Sequence, residues 1–368
     1  MTSREMAGPR RVLAFCFLCM TIAPSLCAQT DACRSRELSV VVRDSRGIPI
    51  DDLLPEDFSA RIKGKPVPAV SLTAGDRPRR AVMLLDTSGS MKGFQETGQW
   101  KLALAIVNQF ANAFSPHGQL AFLSFDESIH ETIDFSKGNS AVLAQLRRMM
   151  DGNGFSAKQV HGRTALFDAV HSGWQLLEKP SPADVVFVVT DGGDNKSRLK
   201  QEALERELIQ SGVRLYAVLV MDTVGGSGGR TPEELNGPDI LGELARTTGG
   251  ELFGPVGYRR GHYIYYDFSK YSLDDKMNIG QALMIFYEGL FHRKTLKLEL
   301  PVAPFKKEET LDLKLSGSAE RKWKGAVISY PQKLLPCRAD RAIPLSLRCS
   351  KDYMLDESKW RGGTPHSN

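Results

Sequence analysis

The sequence has little of what zinc centres and redox motifs are built from. Outside the first 28 residues its cysteines form no CxxC pair, and the seven histidines of the chain are scattered. Structural zinc sites take closely spaced cysteines and histidines, so no such site is predicted. Removal of residues 1–28 would leave Cys33, Cys337 and Cys349. Three thiols allow at most one internal disulfide, either between Cys337 and Cys349 or between Cys33 and one of them.

Concentrated charge and nucleotide-binding motifs are also missing. The formal net charge is only +5 over 368 residues, which gives no case for the dense basic face that nucleic acid requires. The glycine-rich stretch at 221–231 lacks the lysine of a phosphate-binding loop and does not open a helix directly after a strand. Neither nucleic acid nor a nucleotide is therefore expected as a partner.

The apolar run near the N-terminus, VLAFCFLCMTIA (12–23), is short of the roughly 20 residues that a spanning helix needs. A positively charged start precedes it, and PSLCAQ follows, with the small residue Ala28 at a suitable cleavage position. This is the layout of a secretory signal peptide, so residues 1–28 are predicted to be removed. We expect an exported protein, secreted or periplasmic, without an integral membrane span after cleavage.

From about 79 to 292 the chain alternates between strand and helix patterns. Short aliphatic runs such as AVMLLD (81–86) and DVVFVVTD (184–191) suit strands that are buried on both faces of a parallel sheet. Helical patterns separate these runs, and one of them is predicted to begin with Pro238 at its first position. The spacing predicts a doubly wound α/β domain with a mostly parallel sheet and helices on both faces.

The two flanks of this region have a different pattern. Residues 36–75 and 294–331 carry short alternating segments such as LSVVVRD and ETLDLKL, which indicate half-exposed strands without helices. Because the ends of a doubly wound domain often lie close together, the flanks are expected to pack with each other as one small β-rich module. Residues 350–368 are polar and are predicted to form a flexible tail.

Oxygen-bearing side chains occur in three segments of the α/β region, near the ends of predicted strands. These ends are expected to meet at one edge of the sheet. The side chains come from LLDTSGSM (84–91), HGRTALFDAV (161–170) and VVTDGGDN (188–195), and they are Asp86, Ser88, Ser90, Thr164 and Asp191. Ligands of open parallel sheets bind at the carboxyl ends of the strands. Two carboxylates and three hydroxyls suit Mg²⁺, Mn²⁺ or Ca²⁺ rather than a thiolate-binding metal. DTSGS taken alone would be explained better as a tight turn that enters a helix.

The set resembles the metal-ion-dependent adhesion site of the von Willebrand factor type A (VWA) family, in which DxSxS precedes a threonine and an aspartate. The resemblance covers roughly residues 81–292 and fills every position of the motif. It implies that Ser88, Ser90 and Thr164 bind the metal directly and that Asp86 and Asp191 bind it through water. The N-terminal flank, VVVRDSRGIPIDDLLPEDFSARIKGK, is also similar to secreted bacterial VWFA-related proteins of the Acidobacteria type.

The resemblance implies a protein that binds a divalent cation, Mg²⁺ first, and through it an acidic group of a protein or peptide partner. A partner surface is predicted at Arg163 and in GYRRGHYIYYDFSKY (257–271), because tyrosine and arginine are enriched at binding hot spots. Its residues are Tyr258, Arg259, Arg260 and Tyr263. A hairpin that buries its rings is the alternative for this stretch.

Two other functions compete with this prediction. The metal could only stabilise the loops of a structural scaffold, or the chain could be a metal-dependent hydrolase. No catalytic residue is predicted, because Asp86 is not followed two positions later by a second acid, and TSGSM is not a nucleophile elbow.

Overall fold

The computed structural model describes most of the chain between residues 35 and 336. The described ranges are 35–75, 80–92, 99–153, 156, 158–220, 232–259, 262–265, 279–300 and 307–336, with the backbone alone for 232–235, 255–259 and 262–265. The predicted signal peptide (1–28), the predicted tail (350–368) and Cys33, Cys337 and Cys349 lie outside these ranges.

A seven-stranded sheet forms the centre of the α/β part. Its strands are β5 (Arg80–Asp86), β6 (Gln119–Phe125), β7 (Ile129–Ile133), β8 (Val185–Thr190), β9 (Arg214–Val220), β10 (Leu252–Arg259) and β11 (His262–Tyr265). Their order is β11-β10-β9-β8-β5-β6-β7. The inner strands run parallel, and β7 and β11 pair antiparallel at the two edges. Met83 and Leu85 of β5 face one hydrophobic core while Val82 and Leu84 face another, which explains why the strand is aliphatic throughout.

Helices cover both faces of this sheet. They are α1 (Gln99–Phe114), α2 (Gly138–Met150), α3 (Leu166–Gln175), α4 (Gln201–Ser211), α5 (Pro232–Thr247) and α6 (Ile279–Phe291). Buried residues of α1, α2 and α6 share one core, and those of α3, α4 and α5 share the other. The predicted doubly wound α/β fold is therefore confirmed.

One helix begins earlier than predicted. α5 runs from Pro232 to Thr247, so Pro238 lies inside the helix and not at its first position. Pro232 takes that first position, where a proline sacrifices no intrahelical hydrogen bond. The pair Gly237-Pro238 has the composition of a chain break, and this misled the prediction from sequence.

A β-rich module is built from the two flanks of the chain. Its elements are β1 (Ser35–Arg43), β2 (Phe58–Ile62), β3 (Lys65–Val67), β4 (Ala69–Ala74), β12 (Lys294–Glu299), β13 (Glu309–Leu315), α7 (Gly317–Lys322), β14 (Val327–Ser329) and β15 (Lys333–Leu334). They form two four-stranded sheets in the orders β14-β1-β12-β4 and β15-β13-β2-β3. Each sheet mixes strands of both flanks, with Leu38 opposite Leu296 and Ala60 opposite Leu313. Their apolar side chains share one core, and the predicted module is confirmed.

A fully buried arginine of the β-rich module reaches into the α/β part. Arg43, at the end of β1, donates from Nη1 to the carbonyl of Ile285 (2.9 Å) and from Nη2 to that of Phe286 (3.1 Å), both in α6. The same guanidinium pairs with Glu251 at 2.9 Å. Gly289 of α6 provides the space, because a Cβ at this position would overlap Nη2 of Arg43.

A second buried arginine makes a similar connection. Arg293 follows α6 and donates to Oγ of Ser39 in β1 (2.9 Å) and to the carbonyl of Ala183 before β8 (3.3 Å). The two parts of the chain are therefore connected by buried polar contacts.

None of the helices in the described ranges has both the length and the apolar composition that crossing a membrane would take.

Candidate metal site

The first of the predicted ligands, Asp86, accepts hydrogen bonds at both oxygens of its carboxylate. β5 ends at Asp86, whose side chain is fully buried. Oδ1 accepts the backbone N–H of Ser88 (2.8 Å), and Oδ2 accepts the hydroxyl of Thr190 (2.6 Å). Thr190 is the last residue of β8, the neighbour of β5 in the sheet. The carboxylate is thus fixed between the ends of two parallel strands.

The serines of the same loop point their hydroxyls at each other. Oγ of Ser88 lies 3.2 Å from Oγ of Ser90, and Ser88 is fully buried. Gly89 between them donates its N–H to the carbonyl of Gly162 (3.0 Å), where an added Cβ would come within 3.1 Å of that oxygen. A glycine at 89 therefore allows this loop to approach the loop that carries Thr164.

Thr164 is held by a residue that the sequence did not single out. Its backbone N–H donates to Oδ1 of Asn195 (3.0 Å), and its carbonyl accepts the N–H of Asn195 (3.0 Å). The side chain of Thr164 is buried, with 3% exposure. Asn195 lies in TDGGDN, four residues after Asp191, so the second and third predicted loops are bonded to each other.

Asp191 follows β8 directly and is half-buried. Its Oδ1 accepts the N–H of Gly193 (3.3 Å). Burial first, and the negative charge of Asp191 second, raise the pKa of Asp86 from 3.8 to about 7. The two carboxylates are thus close enough to repel each other, and no Lys, Arg or His of the described residues pairs with Asp86.

A second buried aspartate supports the Thr164 loop and was also missed. Asp126 directly follows β6, much as Asp86 is the last residue of β5, and it is only 1% exposed. Its carboxylate lies 2.7 Å from Nε2 of His130 and 3.4 Å from Nδ1 of His161. Its carbonyl accepts the N–H of Ala165 (2.8 Å). The signal that could have found Asp126 is its position directly after a buried strand.

The predicted partner residues are only partly brought to this edge. Arg163 is exposed beside Thr164. The backbones of Tyr258 and Tyr263 are paired in register in the β10–β11 hairpin. Because Val256 pairs with the last residue of β9, this hairpin extends past the carboxyl end of the sheet. Arg260 lies outside the described residues, as do the side chains of Tyr258, Arg259 and Tyr263.

The donors of these loops fit a hard divalent cation. They are carboxylate and hydroxyl oxygens, which Mg²⁺, Mn²⁺ and Ca²⁺ accept as ligands. In the described part of the chain no three His, Cys, Asp or Glu residues are grouped so as to hold a metal ion. A cation at this edge would therefore depend on the hydroxyls of Ser88, Ser90 and Thr164, and its charge would offset the repulsion between Asp86 and Asp191.

The doubly wound sheet with its buried inner strands is that of a VWA-type domain. A family model described as "VWA domain containing CoxE-like protein" matches residues 36–234, from β1 into α5. This is more than half of the 368 residues, and the chain belongs to this family. The resemblance to VWA domains is thereby confirmed. A comparison with curated proteins gives no match.

Solved structures similar to this chain come from bacteria and a mussel. The conserved hypothetical protein BatB from Bacteroides thetaiotaomicron is 15% identical, covers 47% of this chain and 88% of its own, and has a TM-score of 0.36. An aerotolerance-related membrane protein from Bacteroides fragilis, with multiple mutations to serines, is 13% identical over 58% and 98%, with a TM-score of 0.37. Proximal thread matrix protein 1 from the mussel byssus is 16% identical over 50% and 44%, with a TM-score of 0.32. At these values the likeness says nothing about function.

Proposed function

We propose that this protein binds a divalent cation and, through it, an acidic group of a protein or peptide partner. Mg²⁺ is the first candidate, with Mn²⁺ and Ca²⁺ as alternatives. The proposed ligands are Asp86, Ser88, Ser90, Thr164 and Asp191. The observation that supports the proposal most directly is that hydrogen bonds join the three loops carrying them around the buried Asp86.

Each group of the chain has a role in this proposal. Thr190 and the N–H of Ser88 hold the carboxylate of Asp86, and Asn195 fixes the backbone of Thr164. The hydroxyls contribute oxygen without charge, so the protein supplies only two negative charges to a divalent ion. Because these carboxylates are proposed to bind through water, the ion keeps part of its positive charge and can attract a further acid. When bound, the cation would supply a Lewis-acidic position for an outside carboxylate. No catalytic residue is assigned.

The proposal also includes a place of action. The signal-peptide layout of residues 1–28 supports export to the periplasm or the cell exterior. The N-terminal flank supports a place among the secreted bacterial VWFA-related proteins, and binding of another protein at the cell envelope suits such a location.

Titration of the full chain with Mg²⁺ and Mn²⁺ by calorimetry tests the first half of the proposal. We expect one site in the wild type and at least tenfold weaker binding in Asp86→Ala. Asp312→Asn is the matched control, because Asp312 is half-exposed on β13 and contacts only Lys314 among the described ion pairs. Wild-type affinity in Asp86→Ala would remove Asp86 from the metal site.

Recovery of partners from a cell-envelope extract tests the second half. The wild type should retain a partner in Mg²⁺ and release it in EDTA, and Asp86→Ala should retain it in neither. The scaffold alternative differs, because it predicts that EDTA lowers the melting temperature while partner recovery is equal in all four conditions.

A further inference from the structure

The loops that carry the proposed metal site and their neighbours expose basic side chains, while most of their acidic side chains are buried or half-buried. The exposed residues are Lys92, Arg163, Lys196 and Arg198, with Glu127 as an exposed acid of the β6–β7 turn. Asp168 instead accepts the backbone N–H groups of Arg198 and Leu199 (3.0 and 2.9 Å). Asp194 accepts the hydroxyl of Ser197 (2.5 Å). Both residues are half-buried and their carboxylates accept hydrogen bonds from the protein, so the fully exposed charges at the rim of the site are predominantly basic.

Arg163 is the one of these bases whose position is fixed next to a proposed ligand. Its Nη2 donates to the carbonyl of Asn195 (2.7 Å), the same residue that bonds both backbone groups of Thr164. A guanidinium has five N–H donors, and only this one bond engages Arg163 among the described residues. No carboxylate of the described part of the chain forms an ion pair with it. The remaining donors of an exposed, anchored guanidinium are open to a ligand.

We propose that Arg163 is a second anion-binding position and that the partner offers two carboxylates from neighbouring residues, one for the metal and one for Arg163. The inference rests on the proposed function. Arg163 and Thr164 are adjacent, with Cα atoms about 3.8 Å apart, so the two positions suit acids that are close together in the partner. A guanidinium binds a carboxylate through paired hydrogen bonds, which a lysine cannot imitate. Lys92, Lys196 and Arg198 would attract the same acidic segment at longer range.

Three blocked dipeptides provide the probes: acetyl-Glu-Glu-amide, acetyl-Glu-Gln-amide and acetyl-Gln-Gln-amide. Each is titrated against the full chain in saturating Mg²⁺ and followed by NMR. We expect the wild type to prefer the doubly acidic peptide over the singly acidic one by about fivefold, the upper range for an exposed ion pair. The uncharged peptide should not bind. In Arg163→Gln the affinity for the doubly acidic peptide should fall to that for the singly acidic one, while Mg²⁺ still binds.

Two further variants separate geometry from charge. Arg163→Lys keeps the charge without the planar fork and should recover only part of the preference. Arg61→Gln is the matched control, because Arg61 is also exposed and donates to one backbone carbonyl, that of Gly64 at 3.2 Å, but lies in the β-rich module. It should behave as the wild type.

The possible failures are distinguishable. A chain that binds Mg²⁺ but does not prefer the doubly acidic peptide, or whose preference survives in Arg163→Gln, overturns the role of Arg163 and leaves the metal site standing. A chain that binds no Mg²⁺ overturns the proposed function, and this inference with it.

Discussion

At the scale of single residues, the carboxyl of Asp86 couples pH to stability. Burial and the neighbouring charge of Asp191 raise its pKa from 3.8 to about 7 without a bound cation. The folded state therefore holds this proton more tightly than the unfolded state does. The stability that results is fully present below about pH 4 and is lost as the pH rises through about 7.

Asp86→Asn should therefore stabilise the metal-free protein at alkaline pH. One unit of pKa difference corresponds to about 1.4 kcal/mol, so we expect a gain of up to about 4 kcal/mol in the free energy of unfolding at pH 8 in EDTA. The gain should shrink at pH 5, where the wild-type carboxyl is protonated. In Mg²⁺ the order should reverse, because only the wild type is stabilised by binding. Urea unfolding at both pH values, with EDTA or Mg²⁺, measures this.

Asp134→Asn is the control with the opposite sign. Hydrogen bonds from Ser136 lower the pKa of the Asp134 carboxyl. Its stabilising contribution is present at neutral pH and is lost as the pH falls through the lowered pKa, so this variant should lose stability at pH 8. An effect of Asp86→Asn that has the same size at pH 5 and pH 8 would contradict our explanation.

The metal-site candidates could be proposed from sequence because each follows a recognisable strand or opens a helix. Asp86 and Asp191 end aliphatic runs, and a sheet edge brings such positions together. Thr190 and Asn195 could not be found in this way. Their roles are hydrogen bonds to Asp86 and Thr164, which are 104 and 31 residues away in the chain. Nothing local in VVTDGGDN distinguishes such a residue from an ordinary turn former.

At the scale of elements, β1 and α6 are joined by the buried Arg43. In the sequence, Arg43 ends an aliphatic run and precedes a turn, a position at which arginine is usually solvated. Its guanidinium instead bonds two carbonyls of α6 and pairs with Glu251, whose other oxygen accepts the hydroxyl of Ser329 (2.6 Å). Removing one partner of a buried ion pair leaves the other charge uncompensated.

Arg43→Met should cost about 3–5 kcal/mol of unfolding free energy. Arg43→Met with Glu251→Gln should recover part of this loss, because the buried charge is removed together with its partner. Urea unfolding of the single and double variants gives the coupling energy. Arg46→Met is the control: Arg46 pairs with Asp44 at 2.9 Å but is 74% exposed, so we expect a loss below about 1 kcal/mol. Additive effects of the Arg43 and Glu251 changes would show that the pair is not coupled.

At the scale of the whole chain, the sequence predicts the two parts but not how they are joined. Alternation of apolar residues reveals the doubly wound sheet and the half-exposed flanking strands, because these patterns repeat locally. The joints, meaning the polar contacts between the β-rich module and the α/β part, are single contacts between residues that are far apart in the sequence. They include Arg43 with α6, Arg293 with Ser39, and Lys333 of β15 with Glu205 of α4 at 2.7 Å. In the sequence β1 precedes the α/β part and β12 follows it, and only the folded topology makes them neighbouring strands of one sheet.

These joints predict that the β-rich module and the α/β part unfold as one unit. Trp323 reports on the module, because it packs against the core between the two small sheets. The helical circular dichroism reports mainly on the α/β part, which holds six of the seven α-helices in the described ranges. With Trp100, Trp174 and Trp360 replaced by phenylalanine, the urea transitions of Trp323 fluorescence and of helical dichroism should coincide. In Arg43→Met on the same background they should separate, since the strongest buried polar joint is lost. Separate transitions before that change would mean that the module folds independently and that Arg43 stabilises only its own part.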